Sequence, residues 1–166
     1  MAEAPFANPK DLLSGEGAAK FGQRWNPPGL RAVYACLDAS LAMLEWQTQR
    51  KKAGLRLRRH LPLTQVTILT SLRNVLDFQD PATARDFGLA LEPFVLEKHR
   101  SQVDGDPELL AQAFGRIADR LKLEAVIVPA APDPSRFNLV VYVANLHRSS
   151  TLRIHGERFL ASSRIK

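Results

Sequence analysis

The sequence predicts one α+β domain, and three observations carry that prediction. The chain has 166 residues, 45% of them apolar, enough for one ordinary core and too little for two comfortable ones. Helical and strand patterns interleave irregularly, without the steady strand–helix–strand alternation of a doubly wound parallel sheet. No internal repeat or long linker divides the chain. Charged residues at 24% and aromatics at 7% are ordinary for a folded soluble protein, so disorder and low complexity are poor readings.

The elements follow in chain order. Residues 1–31 read as irregular, punctuated by Gly15, Gly17, Gly22, Pro27, Pro28 and Gly29. Ala32–Cys36 is a short strand. Asp38 or Ser40 can cap a helix running to about Gln49, in which Leu37, Leu41 and Leu44 recur at helical spacing. Glu45, one turn after Leu41, then lies at the margin of the buried face. Gln65–Thr70 is a β-branched run typical of a strand, and Val75–Phe78 suggests another. Asp80-Pro81 starts a helix through Leu91, and Glu92-Pro93 bounds a further turn or two. Asp106-Pro107-Glu108 is an N-terminal helix signal: a capping Asp, proline at the first position and acid in the first turn. Leu110, Phe114, Ile117 and Leu121 follow as one apolar stripe expected to face the core. Ala125–Val128 is a compact buried strand, and a loop with three prolines separates it from a strand over Asn138–Val143.

Several function classes drop out early. No run of about 18 uninterrupted apolar residues exists, so a transmembrane helix is excluded. Residues 1–9 carry Glu3 and no long apolar core, so they do not read as a secretory signal. The single cysteine, Cys36, cannot form an internal disulfide and suits a reducing cytosol, and a cytoplasmic location is expected. With one cysteine and four dispersed histidines (His60, His99, His147, His155), no metal site is expected. A phosphate-binding glycine loop ending in Lys-Ser/Thr is missing, and so is a glycine-flanked serine elbow.

The net charge of +6 is local. Arg50, Lys51, Lys52, Arg56, Arg58 and Arg59 lie between positions 50 and 60 with no acid among them, and they account for all of it. The stretch from Asn145 onward adds a further net +4, so the remainder is acidic by the same amount. These patches could meet phosphates, or they could be a solvated loop and a solvated tail. No aromatic interleaves the bases at 50–60 to stack on a nucleobase, so direct nucleic-acid binding is not expected.

One dense segment remains, Gly15-Glu16-Gly17-Ala18-Ala19-Lys20-Phe21-Gly22-Gln23-Arg24-Trp25-Asn26-Pro27-Pro28-Gly29. Its small residues permit close backbone approach, and Arg24 offers a planar fork suited to phosphate. The plainer alternative has Trp25 plugging the core while Arg24 pairs a surface carboxylate.

Arg24-Trp25-Asn26-Pro27-Pro28-Gly29, followed by Ala32-Val33-Tyr34 and then Ala42-Met43-Leu44-Glu45, strongly resembles the RES domain, whose members include the toxins of RES–Xre toxin–antitoxin pairs. Val126-Ile127-Val128-Pro129-Ala130-Ala131 and the later Asn138-Leu139-Val140-Val141 resemble that family's strand end and downstream asparagine. The resemblance covers about residues 12–146 of a single 1–166 domain, leaving a basic tail at 147–166. It implies a mixed sheet with flanking helices, similar to the ADP-ribosyltransferase toxins, with NAD+ in a cleft. It further implies cleavage of the nicotinamide–ribose bond, commonly by phosphorolysis with inorganic phosphate as co-substrate, and a helix-turn-helix antitoxin of the Xre type as partner. A catalytically weakened protein that keeps nucleotide affinity and acts through partners is the alternative. A homodimer is compatible with either.

The matching positions are Arg24, Tyr34, Glu45 and Asn138, with Arg24 and Glu45 as the catalytic pair. A carboxylate such as Glu45 can stabilise positive charge at the ribose or orient an incoming oxygen. Arg24 can neutralise phosphate, the ring of Tyr34 can pack on nicotinamide, and Asn138 can hydrogen-bond ribose or phosphate. Each residue also has an ordinary structural role open to it: Tyr34 in the core, Glu45 as an exposed helix acid, Asn138 at a strand start. One departure stands out. Ala130 occupies the place of the family serine, and Ser135, five residues on, is the hydroxyl that could substitute for binding. Loss of the family serine's hydroxyl at position 130 is expected to slow an enzyme by roughly ten- to a hundredfold without abolishing it.

Overall fold

The computed structural model describes residues 2–3, 7–52, 54, 63–86, 109–157 and 160. The expected helix through residues 87–91, the turn at Glu92-Pro93, the signal at Asp106-Pro107-Glu108 and the bases Arg56, Arg58 and Arg59 lie outside them.

The core is a four-stranded mixed sheet. Its strands are β2 (Ala32–Cys36), β7 (Phe137–Tyr142), β6 (Ala125–Pro129) and β5 (Val75–Asp77), side by side in that order. β2–β7 and β7–β6 are antiparallel, whereas β6–β5 is parallel. Two-stranded pairs flank it: β1 (Ala2–Glu3) with β3 (Leu63–Thr64), and β4 (Ile68–Ser71) with β8 (Thr151–Ile154). The helices among the described residues are α1 (Pro9–Ser14), α2 (Glu16–Phe21), α3 (Ala39–Lys52), α4 (Pro81–Asp86) and α5 (Leu110–Arg120). This is the α+β class the sequence predicts. No helix among the described residues is long and apolar enough to cross a membrane.

Strand alternation gives the sheet two working faces. Val126, Val128, Val140 and Tyr142 point to one, where Trp25, Phe78, Ala111 and Ala118 cover them. Ala125, Leu139, Val141 and Val33 point to the other, against Ile68, Leu72, Leu146 and Leu152 around the β4–β8 pair. Burial on both faces explains why β6 and the Leu139–Tyr142 part of β7 are continuous apolar runs.

Five local readings change. Residues 9–21 are helical: Asn8 Oδ1 accepts from the Asp11 N–H at 3.0 Å, Pro9 sits in the first turn, and Gly15, at φ 67°, ends α1 as α2 begins. The strand expected at 65–70 is shifted to 68–71, and α3 runs on to Lys52. The basic tail contains a strand, β8, which pairs with β4 and packs with it on the Ala125–Val141 face of the sheet. Finally, the apolar stripe expected over Leu110, Phe114, Ile117 and Leu121 is split: Phe114 packs on the core beside Trp25 and Phe78, and the three others face outward. Leu110, Ile117 and Leu121 are 49%, 53% and 63% exposed, while Ala111, Gln112, Gly115 and Ala118 are buried. The small residues win the inner face because they let the helix backbone come close to the segment beneath it.

A buried carboxylate knits the far end of the sheet. Glu124, just before β6, accepts hydrogen bonds from the Arg73 N–H (2.8 Å), the His147 N–H (2.7 Å) and the Ser150 hydroxyl (2.8 Å). Burial by itself pushes its pKa up, but these donors outweigh it and hold the group below the ordinary 4.5. Its stabilisation is therefore complete above about pH 4.5 and fades as pH falls through the depressed folded value. Glu124→Gln turns an NH2 toward donors and should cost about 2 kcal/mol at neutral pH. Urea titrations over a range of acidic pH should show a flatter stability profile for the variant. An identical slope in both proteins would remove Glu124 from this role.

Candidate active site

A cavity of about 770 Å³ runs beside β2, which among the described residues has only β7 as a strand neighbour. Its walls come from the Gln23–Trp25 turn, β2, the inner face of α3, residues 65–70, and the β6–β7 loop with Asn138. Its size falls within the roughly 300–1,000 Å³ usual for small-molecule sites.

The turn is built first. The Gln23 N–H donates to the Asn26 carbonyl at 2.9 Å, and the Asn26 N–H returns to the Gln23 carbonyl at 3.4 Å. Arg24 and Trp25 occupy its two central positions and diverge. Trp25 is buried, with Phe114 edge-on to its indole at 5.8 Å, whereas Arg24 is half-buried and lines the cavity. The core-plug role open to Trp25 is thus realised, and the same burial anchors the loop that carries Arg24 to the cavity.

Buried polar groups hold this turn. Asn26 Nδ2 donates to the carbonyls of Leu30 (2.8 Å) and Ala18 (3.0 Å), and Asn26 Oδ1 accepts from the Tyr34 hydroxyl at 2.8 Å. That hydroxyl in turn accepts from the Trp25 N–H at 2.9 Å. Burial pushes the Tyr34 phenol far above its ordinary value of 10.0, so it stays a protonated donor. Tyr34 lines the cavity while its hydroxyl is committed to the loop. From below, the Tyr142 hydroxyl donates to the Trp25 carbonyl at 3.2 Å and Gln112 Nε2 to the Gln23 carbonyl at 3.0 Å. Asn26, Gln112 and Tyr142 were not singled out from the sequence. Only the buried-polar chemistry of the Asn in the motif could have flagged one of them.

The second half of the site joins α3 to β7. Asn138 Nδ2 donates to Glu45 Oε1 at 2.7 Å. Asn138 Oδ1 is buried and has no hydrogen-bond partner among the described residues. Such an atom is costly to leave bare and fits a hydroxyl or amide donor from a ligand. Cys36 stands opposite Asn138 in the β2–β7 register. Burial, and then the nearby Glu45 carboxylate, push its thiol up to about 11, so it is a neutral wall residue and not a thiolate nucleophile.

A surface pair aligns the two elements. Asp38 caps α3 by accepting from the Leu41 N–H at 2.8 Å and is also bound by the Arg136 guanidinium, which reaches Ser40 Oγ at 2.6 Å. The Leu41 N–H foremost, and then Arg136, hold the Asp38 carboxyl down to about 2. Arg136 lies two residues before Asn138, and Asp38 seven before Glu45, so this pair fixes the two ends of the Glu45–Asn138 contact.

Arg24, Tyr34, Glu45 and Asn138 therefore all line one cavity. Ser135 does not join them. It is exposed, and its hydroxyl donates to Asp133 Oδ1 at 2.7 Å. Ala130 is fully buried between Pro129 and Ala131, both of which line the cavity, and its N–H donates to the Arg136 carbonyl at 2.8 Å. Among the described residues, no group of three or more His, Cys, Asp or Glu side chains converges as metal ligands would.

The model of the RES domain matches residues 3–160, and the chain belongs to the RES domain family. It is 34% identical over 125 residues to the NAD(+) phosphorylase MbcT of Mycobacterium tuberculosis, and equally to that of Mycobacterium bovis. The match takes in 74% of this chain and spans 62% of the length of those curated relatives. Among solved structures, it is similar to the crystal structure of the M. tuberculosis MbcT–MbcA toxin–antitoxin complex. There the TM-score is 0.67 and the identity 30%, over 93% of this chain and 78% of that one.

The lock on the turn has a direct test. A Cβ on Gly115 would stand 2.0 Å from the Trp25 carbonyl oxygen and 3.2 Å from the Tyr142 hydroxyl. Helix propensity favours alanine there by about 1 kcal/mol, but overpacking against backbone should reverse the sign and cost about 3 kcal/mol. Chemical denaturation of Gly115→Ala reads the difference. A midpoint equal to or above wild type would show that α5 does not press on the turn.

Proposed function

We propose that this RES-family chain is an NAD+-consuming enzyme that cleaves the nicotinamide–ribose bond with inorganic phosphate as acceptor, and that it is the toxin of a toxin–antitoxin pair. The observation that carries this reading is the Glu45–Asn138 pair on the wall of the cavity that Arg24 also lines, with one buried amide oxygen left for a ligand. The NAD(+) phosphorylase named among its relatives, and the toxin–antitoxin complex of similar fold, support the same direction.

The chemistry suits the residues present. In NAD+ the nicotinamide nitrogen is cationic, so cleavage of its bond to the ribose returns the electron pair to the ring and releases a neutral base. No proton donor is needed for the leaving group, and one carboxylate can serve where ordinary glycoside cleavage uses two. Positive charge grows on the ribose, where Glu45, oriented by the Asn138 amide, faces it. Asn138 Oδ1 can accept from a ribose hydroxyl. Arg24 is suited to gather phosphate, whose oxygen supplies the electron pair for the new bond and yields ADP-ribose 1″-phosphate. The partner in this reading is an antitoxin of the Xre helix-turn-helix type.

The β6–β7 loop presents no hydroxyl to the cavity, with Ala130 in place of the family serine and Ser135 turned to Asp133. That favours a slow enzyme and keeps a nucleotide-binding protein without turnover as the second reading.

Nicotinamide release from NAD+ by the purified protein, with and without phosphate, tests both. We expect phosphate-dependent release that Glu45→Gln lowers by a factor of about 100 or more, as loss of transition-state charge stabilisation requires. Ala130→Ser should raise the rate by roughly tenfold. Release from the serine variant alone would establish the second reading, and silence from both would overturn the enzyme.

A further inference from the structure

We infer that the second half of α3, through Trp46, Gln49 and Lys52, forms a subsite for the adenosine diphosphate moiety of the substrate, with the Trp46 indole as the platform for the adenine base. The inference rests on the NAD+ reading above and specifies which surface holds the part of the molecule that does not react.

Ala42, Glu45, Trp46, Gln49 and Lys52 all line the cavity. Their spacing places them on one side of the helix, so the cavity follows α3 well beyond the Glu45–Asn138 pair. At 1.5 Å per residue, Lys52 stands roughly 10 Å further along the axis than Glu45. A dinucleotide whose scissile bond lies at Glu45 has to extend its pyrophosphate and second nucleoside away from that point, and this trough offers the room. Its other side carries Gln65, Thr67 and Thr70, tied to the start of α3 by Gln65 Nε2 donating to the Ala39 carbonyl at 3.3 Å.

The chemistry of the helix face changes along its length. Glu45 is its carboxylate, and beyond it come an indole, an amide and an ammonium, with no further acid. The Arg50 guanidinium lies 5.2 Å from the centroid of the Trp46 ring. This cation–π contact orients the half-buried indole from its own helix, one turn on. A purine stacked on such a ring needs no sequence-specific geometry, because every base has a π-face. The Gln49 amide can donate and accept at once, matching the adjacent donor and acceptor on the adenine edge. Lys52 supplies a positive charge for a phosphate oxygen. Nothing in this set suits a reacting centre, and all of it suits a nucleoside diphosphate.

The test uses ADP as the probe, since it carries the adenosine diphosphate moiety and lacks nicotinamide. Calorimetric titration should show binding to the wild-type protein that Trp46→Ala weakens by about tenfold or more, as loss of a base-stacking partner predicts. Trp46→Phe keeps a platform and should remain within about threefold of wild type, on the same stacking argument. Lys52→Gln should weaken ADP more than it weakens adenosine. With NAD+ as substrate, the Trp46→Ala defect should fall chiefly on KM. No ADP binding by the wild-type protein, or equal affinity in Trp46→Ala and wild type, would overturn the subsite. Trp46-dependent ADP binding in a protein that releases no nicotinamide would sustain the subsite and overturn the enzymatic reading. Nicotinamide release with a KM insensitive to Trp46 would do the reverse.

Discussion

The site depends on the burial of Trp25. Its indole fills the space between the sheet and α5, and its backbone is held from two directions, the N–H by Tyr34 and the carbonyl by Tyr142. With Trp25 pinned at one central position of a four-residue turn, the neighbouring Arg24 has no freedom to follow it inward and is delivered to the cavity. The Asn26 amide completes the lock by bonding chain segments on both sides of the turn. A buried amide in this state is costly to disturb, because every group it releases is left without water. Preorganisation of the arginine is thus achieved by packing and buried hydrogen bonds some distance from the arginine itself.

The carboxylate side is organised differently. Glu45 reaches its place through a helix that starts immediately after β2, and Asn138 through a strand paired with β2. β2 is therefore the common reference for both, and the Asp38–Arg136 pair closes the remaining degree of freedom at the solvent edge. The two halves of the site meet because β2 also carries Tyr34, which binds the Trp25 turn. A five-residue strand links the arginine, the carboxylate and the asparagine to one another.

Much of this was legible in the residues. The strands read at 32–36, 75–78 and 125–128 lie within a residue of those observed, and the capped helix after Asp38 and the meeting of Arg24, Tyr34, Glu45 and Asn138 on one cavity follow from local pattern and from the motif. The helix at 110–120 shows where such reasoning fails. Its large apolar residues read as the inner face, but only Phe114 packs on the core, and the structure buries Ala111, Gln112, Gly115 and Ala118 while Leu110, Ile117 and Leu121 are exposed. Periodicity measures which residues share a side, and burial on that side depends on how closely the neighbouring chain approaches. The Trp25 carbonyl comes so near α5 that only glycine fits beneath it.

By itself, the sequence determined the class of the fold, the family, and the residue types that meet at the site, because backbone propensity, capping and a compact motif act over short distances. The tertiary structure alone decided which groups were left available for a ligand. The Tyr34 hydroxyl, which has the right chemistry for substrate, is consumed in holding the turn, and Ser135 is consumed by Asp133. Asn138 Oδ1 stays buried without a hydrogen-bond partner among the described residues, and Trp46 lines the cavity from α3. Hydrogen bonds saturate, so a polar group's function depends on which partners the fold has already given it, and those partners come from distant parts of the chain.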